Sequence, residues 1–270
     1  MNDIQENSIG KILEIIGVLK PLEGFGKVVC AGGAVRDALF NLPNPPKDYD
    51  IFIIDDKKHN EPEFSLKRSS IIKFIKGYFY EHPDFWFNEK ANYSEYEEFP
   101  LANLVSKKTK EKVQIMFRQN TLCEFDLVNS FDWNICSCFI STEGKKYSIG
   151  CGDNFPLEID SRGRKAFFNK ASDLKKLGIF LNIPKVAALS EDFKEFQVTK
   201  SGFMNIALNK DAKISRPMVS LRRAFSFSSK FSKKYQVRIQ KKSLELLSKK
   251  IYDISTSNKH EVEENHYLSI

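Results

Sequence analysis

The 270-residue chain has no apolar run near the roughly 20 residues that a membrane-spanning helix requires, so no membrane span is expected. Its opening stretch, MNDIQENSIGKILEIIGVLK, lacks the basic segment, apolar centre and small-residue cleavage site of a secretory leader. A soluble, cytoplasmic protein is the expectation. Cysteine is scarce and odd in number, five residues, which argues against a disulfide framework. Cys136 and Cys138 alternate with apolar residues in NICSCFI, and the four histidines are scattered, so the pattern reads as reduced core thiols rather than a zinc site. There is no internal repeat and no low-complexity tract.

What is present is enough apolar material for a core, 41% of residues, and an uneven charge distribution behind a net +7. Between Lys200 and Lys250 there are 14 Lys and Arg against 2 acids, a local +12, while the rest of the chain is slightly acidic. The basic character belongs to one C-terminal segment, which favours a polyanion as its partner.

Apolar positions Ile9, Ile12, Leu13, Ile16 and Leu19 predict a helix over 8–20 that Pro21 stops. KVVCA (27–31) reads as a buried strand and AVRDALF (34–40) as a helix starting at the glycines before it. The prolines of NLPNPPK make a loop. DYDIFII (48–54) reads as a strand, alternating and then fully apolar, and SLKRSSIIKFIKGYF (65–79) as an amphipathic helix. FPLANLVS and KVQIMFR flank KKTKE as a hairpin with a charged turn, and EFDLVNSFDWNICSCFIS gives a short helical or loop piece before an apolar run. From about residue 155 the pattern turns mostly helical. Leu174, Leu177, Ile179 and Leu181 lead into Pro184; Met218, Leu221 and Phe225 form one stripe; Leu244, Leu247 and Ile251 form another. The expected fold is α+β: a small mixed-sheet head over 1–154, a mostly helical basic domain over 155–252, and a polar, loose tail over 253–270.

Gly32 and Gly33 stand between the first strand and the next helix. Without Cβ atoms they let a phosphate approach backbone N–H groups at a helix start. Asp48 and Asp50 open the second strand, where positions i and i+2 share a side. Two such carboxylates repel each other unless a cation lies between them, and the spacing suits Mg²⁺. A phosphate cradle beside a metal pair makes a nucleotide-transfer site, in which metal binds the triphosphate of an NTP.

The stretch GGAVRDALFNLPNPPKDYDIFI resembles the head-domain signature of the DNA polymerase beta nucleotidyltransferase superfamily. It is most similar to the branch of class II CCA-adding enzymes and bacterial poly(A) polymerases, with Gly32, Gly33, Val35, Arg36, Asp37, Lys47, Asp48, Asp50 and Ile51 filling the pattern. The resemblance implies that Asp48 and Asp50 hold catalytic Mg²⁺ and that Gly32 and Gly33 line the triphosphate. It implies that Arg36 and Asp37 orient the head helix and reach the nucleotide, with Lys47 beside the site. The likeness continues loosely over 100–240. Gln114 stands at the position of the family's third carboxylate and brings no charge. Asp132 matches the aspartate of the family's Arg-Arg-Asp segment, with Ser130 and Phe131 in place of the arginines. Either Asp132 or Asp126 supplies a third carboxylate, Asp132 being preferred, or the chemistry is slow or absent. Pro217, Leu221 and Arg222 match a further helix motif. QKKSLELLSKKIYDIS holds no counterpart of the Glu-Asp-x-x-Arg segment that templates C and A, so CCA addition itself is not expected.

Arg222, Arg223, Lys230, Lys233, Lys234, Arg238, Lys241 and Lys242 are interleaved with Phe225, Phe227, Phe231 and Tyr235. The cations are read as polyanion contacts, to RNA or to the NTP triphosphate, and the phenylalanines as core, with Phe225 extending the Met218–Leu221 stripe. Three functions follow: NMP transfer to an RNA 3′ end with pyrophosphate release, the same chemistry on a protein or small-molecule acceptor, or a degenerate head that binds nucleic acid or a partner without catalysis.

Overall fold

The computed structural model describes residues 3–44, 46, 48–88, 100–156, 165–176, 203–210, 212, 214–232 and 235–267. Lys47, Lys233, Lys234 and the stripe from Leu177 to Pro184 lie outside the described residues. The fold is mixed. In chain order the elements are α1 (Asp3–Leu19), β1 (Lys27–Ala31), α2 (Gly33–Leu39), β2 (Asp48–Ile54), α3 (Glu61–Phe79), β3 (Phe85–Phe87), β4 (Ala102–Ser106) and β5 (Lys112–Arg118). Then come α4 (Glu124–Asn129), β6 (Cys138–Glu143), β7 (Lys146–Cys151), β8 (Lys165–Phe168), α5 (Asp173–Lys176), β9 (Phe203–Ile206), α6 (Pro217–Phe231), β10 (Gln236–Ile239) and α7 (Lys241–Tyr267).

Eight strands form one sheet in the order β3-β4-β5-β2-β1-β6-β7-β8. Its one parallel pairing joins β2 to β5, and the others are antiparallel. Strands β9 and β10 form a separate parallel pair. β2 reads as nearly continuous apolar sequence because the sheet is covered on both faces. On one face Tyr49, Ile51 and Ile53 join the large core with Ile12, Ile16 and Val35. On the other, Phe52 and Ile54 join a smaller core with Leu127, Val128 and Phe139. Asp48 and Asp50 follow Phe52 and Ile54 along that second face, at the end where its apolar cover stops.

Local signals explain the helix ends. Helix α3 starts at Glu61, four residues before the periodic stretch, because Asn60 and Glu63 form a reciprocal capping box ahead of it. Helix α2 is buried nearly all round, including Arg36 and Asp37, since α1 covers one side and α6 another.

Three features differ from the sequence expectation. Strands β8, β9 and β10 lie in the half expected to be mostly helical, and β8 extends the main sheet beyond residue 154. The backbone of α7 is helical to Tyr267, past residue 253 where a loose tail was expected. The buried stripe of α6 is Pro217, Ser220, Ala224, Phe227 and Phe231, whereas Met218 and Phe225 are exposed. Phe227 and Phe231 supply the apolar part of that face, and Ser220 joins it by a hydrogen bond to Asp132. The five cysteines are free thiols, with Cys30, Cys138 and Cys151 buried, and burial pushes those of Cys30 and Cys138 up. No helix among the described residues is long and apolar enough to cross a membrane.

Candidate active site

The loop between β1 and α2 meets the start of β2 at the open end of the sheet. Gly32 sits at φ 81°, ψ −130°, a conformation that only glycine adopts readily. A Cβ placed on it would stand 3.9 Å from Asp50 Oδ2 and 3.6 Å from Phe131 Cε2. Gly32, the carboxylate of Asp50 and the Phe131 ring are therefore close neighbours, with Gly32 itself buried. Phe131 is itself stacked obliquely on Phe52 at 5.5 Å.

Gly32 is pinned to β6. Its N–H donates to the Cys138 carbonyl at 3.0 Å, and the Cys138 thiol donates to the Gly32 carbonyl at 3.6 Å. That N–H is spent, so Gly32 offers no free amide donor. The amide donors expected to line a triphosphate begin at Gly33.

Asp48 is exposed and Asp50 half-buried on the same face of β2. Burial, and next the charge of Asp48, push the Asp50 carboxyl up to about 7, while Arg223 and Arg36 pull the other way. The parallel register places Lys112 beside Asp48 and Gln114 beside Asp50. The Gln114 side chain brings no charge beside Asp50, and its Nε2 donates to Asn103 Oδ1 at 3.4 Å.

The other expected acids are elsewhere or engaged. Asp126 is exposed in the first turn of α4 and accepts the Leu122 N–H at 3.1 Å. Asp132 accepts the Trp133 N–H at 2.9 Å on Oδ1, and Ser220 Oγ at 2.9 Å and Arg223 Nη1 at 3.2 Å on Oδ2. Among the described residues no group of three or more His, Cys, Asp or Glu is gathered to hold a metal. The donor set nonetheless fits Mg²⁺, which takes one or two protein carboxylates and completes its shell with water and phosphate oxygens. Burial first, and the neighbouring Asp48 charge second, disfavour the ionised Asp50 carboxyl, and a bound cation would relieve both.

Arg36 and Asp37 differ from the nucleotide contact expected of them. Arg36 is buried, bonded to Asp37 at 2.7 Å, and its guanidinium lies over the Phe227 ring at 5.0 Å and the Phe231 ring at 5.9 Å. Asp37 also receives Lys230 at 2.6 Å. Both residues dock α6 onto α2, a contact between segments nearly two hundred residues apart. Arg222 is exposed on α6, away from its buried stripe. Sequence reasoning missed Phe131 as a wall of the site and Lys112 as a neighbour of Asp48. The i, i+2 pattern of KVQ against DYD carried the second signal, once β2 and β5 are paired in parallel.

No family model matches the chain, and no curated protein matches it. Several solved structures are similar at low identity. A CCA-adding enzyme complexed with CTP is 16% identical with a TM-score of 0.39, covering 91% of this chain and 45% of its own. A tRNA-processing enzyme in an apo form is 15% identical with a TM-score of 0.41, covering 90% and 47%. The Thermotoga maritima CCA-adding enzyme complexed with tRNA is 15% identical with a TM-score of 0.39, covering 91% and 45%. This chain spans a little under half the length of each.

Proposed function

We propose that the protein is a Mg²⁺-dependent nucleotidyltransferase that moves NMP from an NTP to an acceptor hydroxyl, an RNA 3′ end, and releases pyrophosphate. The observation that carries this reading is the approach of Gly32 to Asp50: a Cβ placed on this positive-φ glycine would stand 3.9 Å from the Asp50 carboxylate, which shares its face of β2 with Asp48. Asp48 and Asp50 hold the cation. Mg²⁺ held there would supply charge neutralisation for the polyphosphate and polarisation at its phosphorus. Gly33 and the start of α2 offer amides to the polyphosphate, and Phe131 keeps water from one side. The exposed cations Arg222, Lys241 and Lys242 meet the RNA backbone. Lys47 is assigned to the same site from its place in the motif.

The test is incubation of labelled NTPs with RNA and Mg²⁺, with Asp48→Ala and Asp50→Ala as controls. Protein and small-molecule acceptors run in parallel identify the acceptor class. Label incorporated equally by both variants would refute the site.

One observation favours a second reading, a head that binds NTP and Mg²⁺ without turnover. Gln114 adds no charge beside Asp50, and both oxygens of Asp132 are already engaged. Pyrophosphate release that depends on Asp48 eliminates this reading; nucleotide binding with no release on any acceptor establishes it.

A further inference from the structure

We infer that Asp132 is a positioning residue, which holds the Arg223 guanidinium at the rim of the site so that Arg223 meets the polyphosphate of a bound NTP. This rests on the reading of Asp48, Asp50 and Gly32 as an NTP site.

Asp132 lies in a loop fixed from several sides. Asn209 donates its N–H to the Asp132 carbonyl at 3.0 Å and its Nδ2 to the Phe131 carbonyl at 2.9 Å. The Phe131 side chain points back to Gly32, which places the loop against the cradle. On α6, Ser220 is gripped at both ends. Its carbonyl accepts Trp133 Nε1 at 3.0 Å and its hydroxyl donates to Asp132 Oδ2 at 2.9 Å. Arg223 is three residues on, hence on the same side of the helix, and donates to the same oxygen. The Asp132 side chain is only 12% exposed, so its charge needs this partner, whereas Arg223 is 52% exposed. A guanidinium has five N–H donors in a rigid fork. One arm goes to Asp132 and half of the side chain stays exposed, next to the loop whose Phe131 ring lies against Gly32.

The same geometry argues against Asp132 as a ligand of the cation. To turn toward one it would release Ser220 and Arg223, and leave the Arg223 charge unpaired beside a second positive charge. Held as it is, Asp132 aims a cation at the place where NTP brings negative charge.

Binding of MgATP and of magnesium tripolyphosphate tests this, using the full chain with Asp132→Asn, Arg223→Ala and the double variant. Arg223→Ala is expected to weaken both ligands about 10- to 100-fold, the range for losing hydrogen bonds to a charged group. Asp132→Asn is expected to weaken them less, and to add nothing in the Arg223→Ala background, because it acts through Arg223. Mn²⁺ binding to the protein without nucleotide, read by its paramagnetic resonance signal, is expected to be retained in all three. An Asp132→Asn effect of equal size in both backgrounds overturns the inference, as does loss of Mn²⁺ binding in Asp132→Asn. If Asp132→Asn fails to fold, Arg223→Ala decides alone, and unaltered tripolyphosphate affinity overturns the inference. Asp48→Ala and Asp50→Ala serve as separate controls. Mn²⁺ and MgATP binding that survives in them removes the NTP site itself, whatever Arg223 does.

Discussion

Replacing Asp50 with Asn should make the metal-free protein more stable at alkaline pH while destroying the proposed activity. Burial, and then the neighbouring Asp48 charge, raise this carboxyl from 3.8 to about 7. Ionising it in place costs about 4 kcal/mol, from roughly 1.4 kcal/mol for each tenfold change in proton affinity. Solvent at the open end of the sheet screens part of that, so about 2–4 kcal/mol is the working figure. The sign follows from proton counts. Between about pH 4 and pH 7 the native chain holds a proton that the unfolded chain has lost, so stability falls as pH rises through that window. Asparagine carries no such proton and escapes the loss. Urea unfolding in EDTA, followed by circular dichroism at pH 4.5 and pH 8, measures the difference. The variant should match the parent at pH 4.5 within about 1 kcal/mol and exceed it at pH 8 by about 2–4 kcal/mol. A variant that is less stable at pH 8, or a gap that does not change with pH, would show that burial and the Asp48 charge do not raise the Asp50 carboxyl as described.

Gly32→Ala meets no hard clash, its Cβ contacts being 3.6 Å and longer, but it forces alanine to φ 81°. A loss of about 1–3 kcal/mol in thermal or urea unfolding is expected, together with weaker MgATP binding. Glu124→Gln should cost about 3 kcal/mol at pH 7, because burial is outweighed by hydrogen bonds from Lys27 and Ser141 that bring its carboxyl from 4.5 down to about 2. Glu124's contribution is present above its ordinary value of 4.5 and disappears as pH falls toward 2, so parent and variant should converge in acid unfolding. Lys230→Ala removes the 2.6 Å contact to Asp37 and should lower the unfolding midpoint by the equivalent of about 1–3 kcal/mol, measured by calorimetry. RNA binding, measured by filter retention, should weaken steeply with added salt, and Lys241→Ala with Lys242→Ala should flatten that slope.

The head was legible where one period ruled. KVVCA and DYDIFII form strands over the expected residues because each is apolar on a pleat whose two faces are both covered. The placing of Gly32 beside Asp50 followed from strand–turn–helix order. What stayed hidden depends on partners far away in the chain. Arg36 and Asp37 look like nucleotide contacts until α6 is set against them, and α6 itself shows two possible stripes. Met218, Leu221 and Phe225 make one apolar stripe, yet the face with Phe227 and Phe231 turns inward, where Ser220 also bonds Asp132. Strands β8, β9 and β10 are four residues each, too short for alternation to distinguish from loop.

Phe40 at the end of α2 packs on Phe155, Phe231 and Tyr235, with ring centres 5.9, 5.0 and 5.8 Å away. A fragment stopping at residue 154 would strip three rings from it and leave Arg36 without the two phenylalanines it lies over. Anyone wishing to graft this amino-terminal half onto another scaffold must carry α6 and Tyr235 along. The excised half would otherwise present a sticky aromatic wound at the end of α2 opposite Gly32.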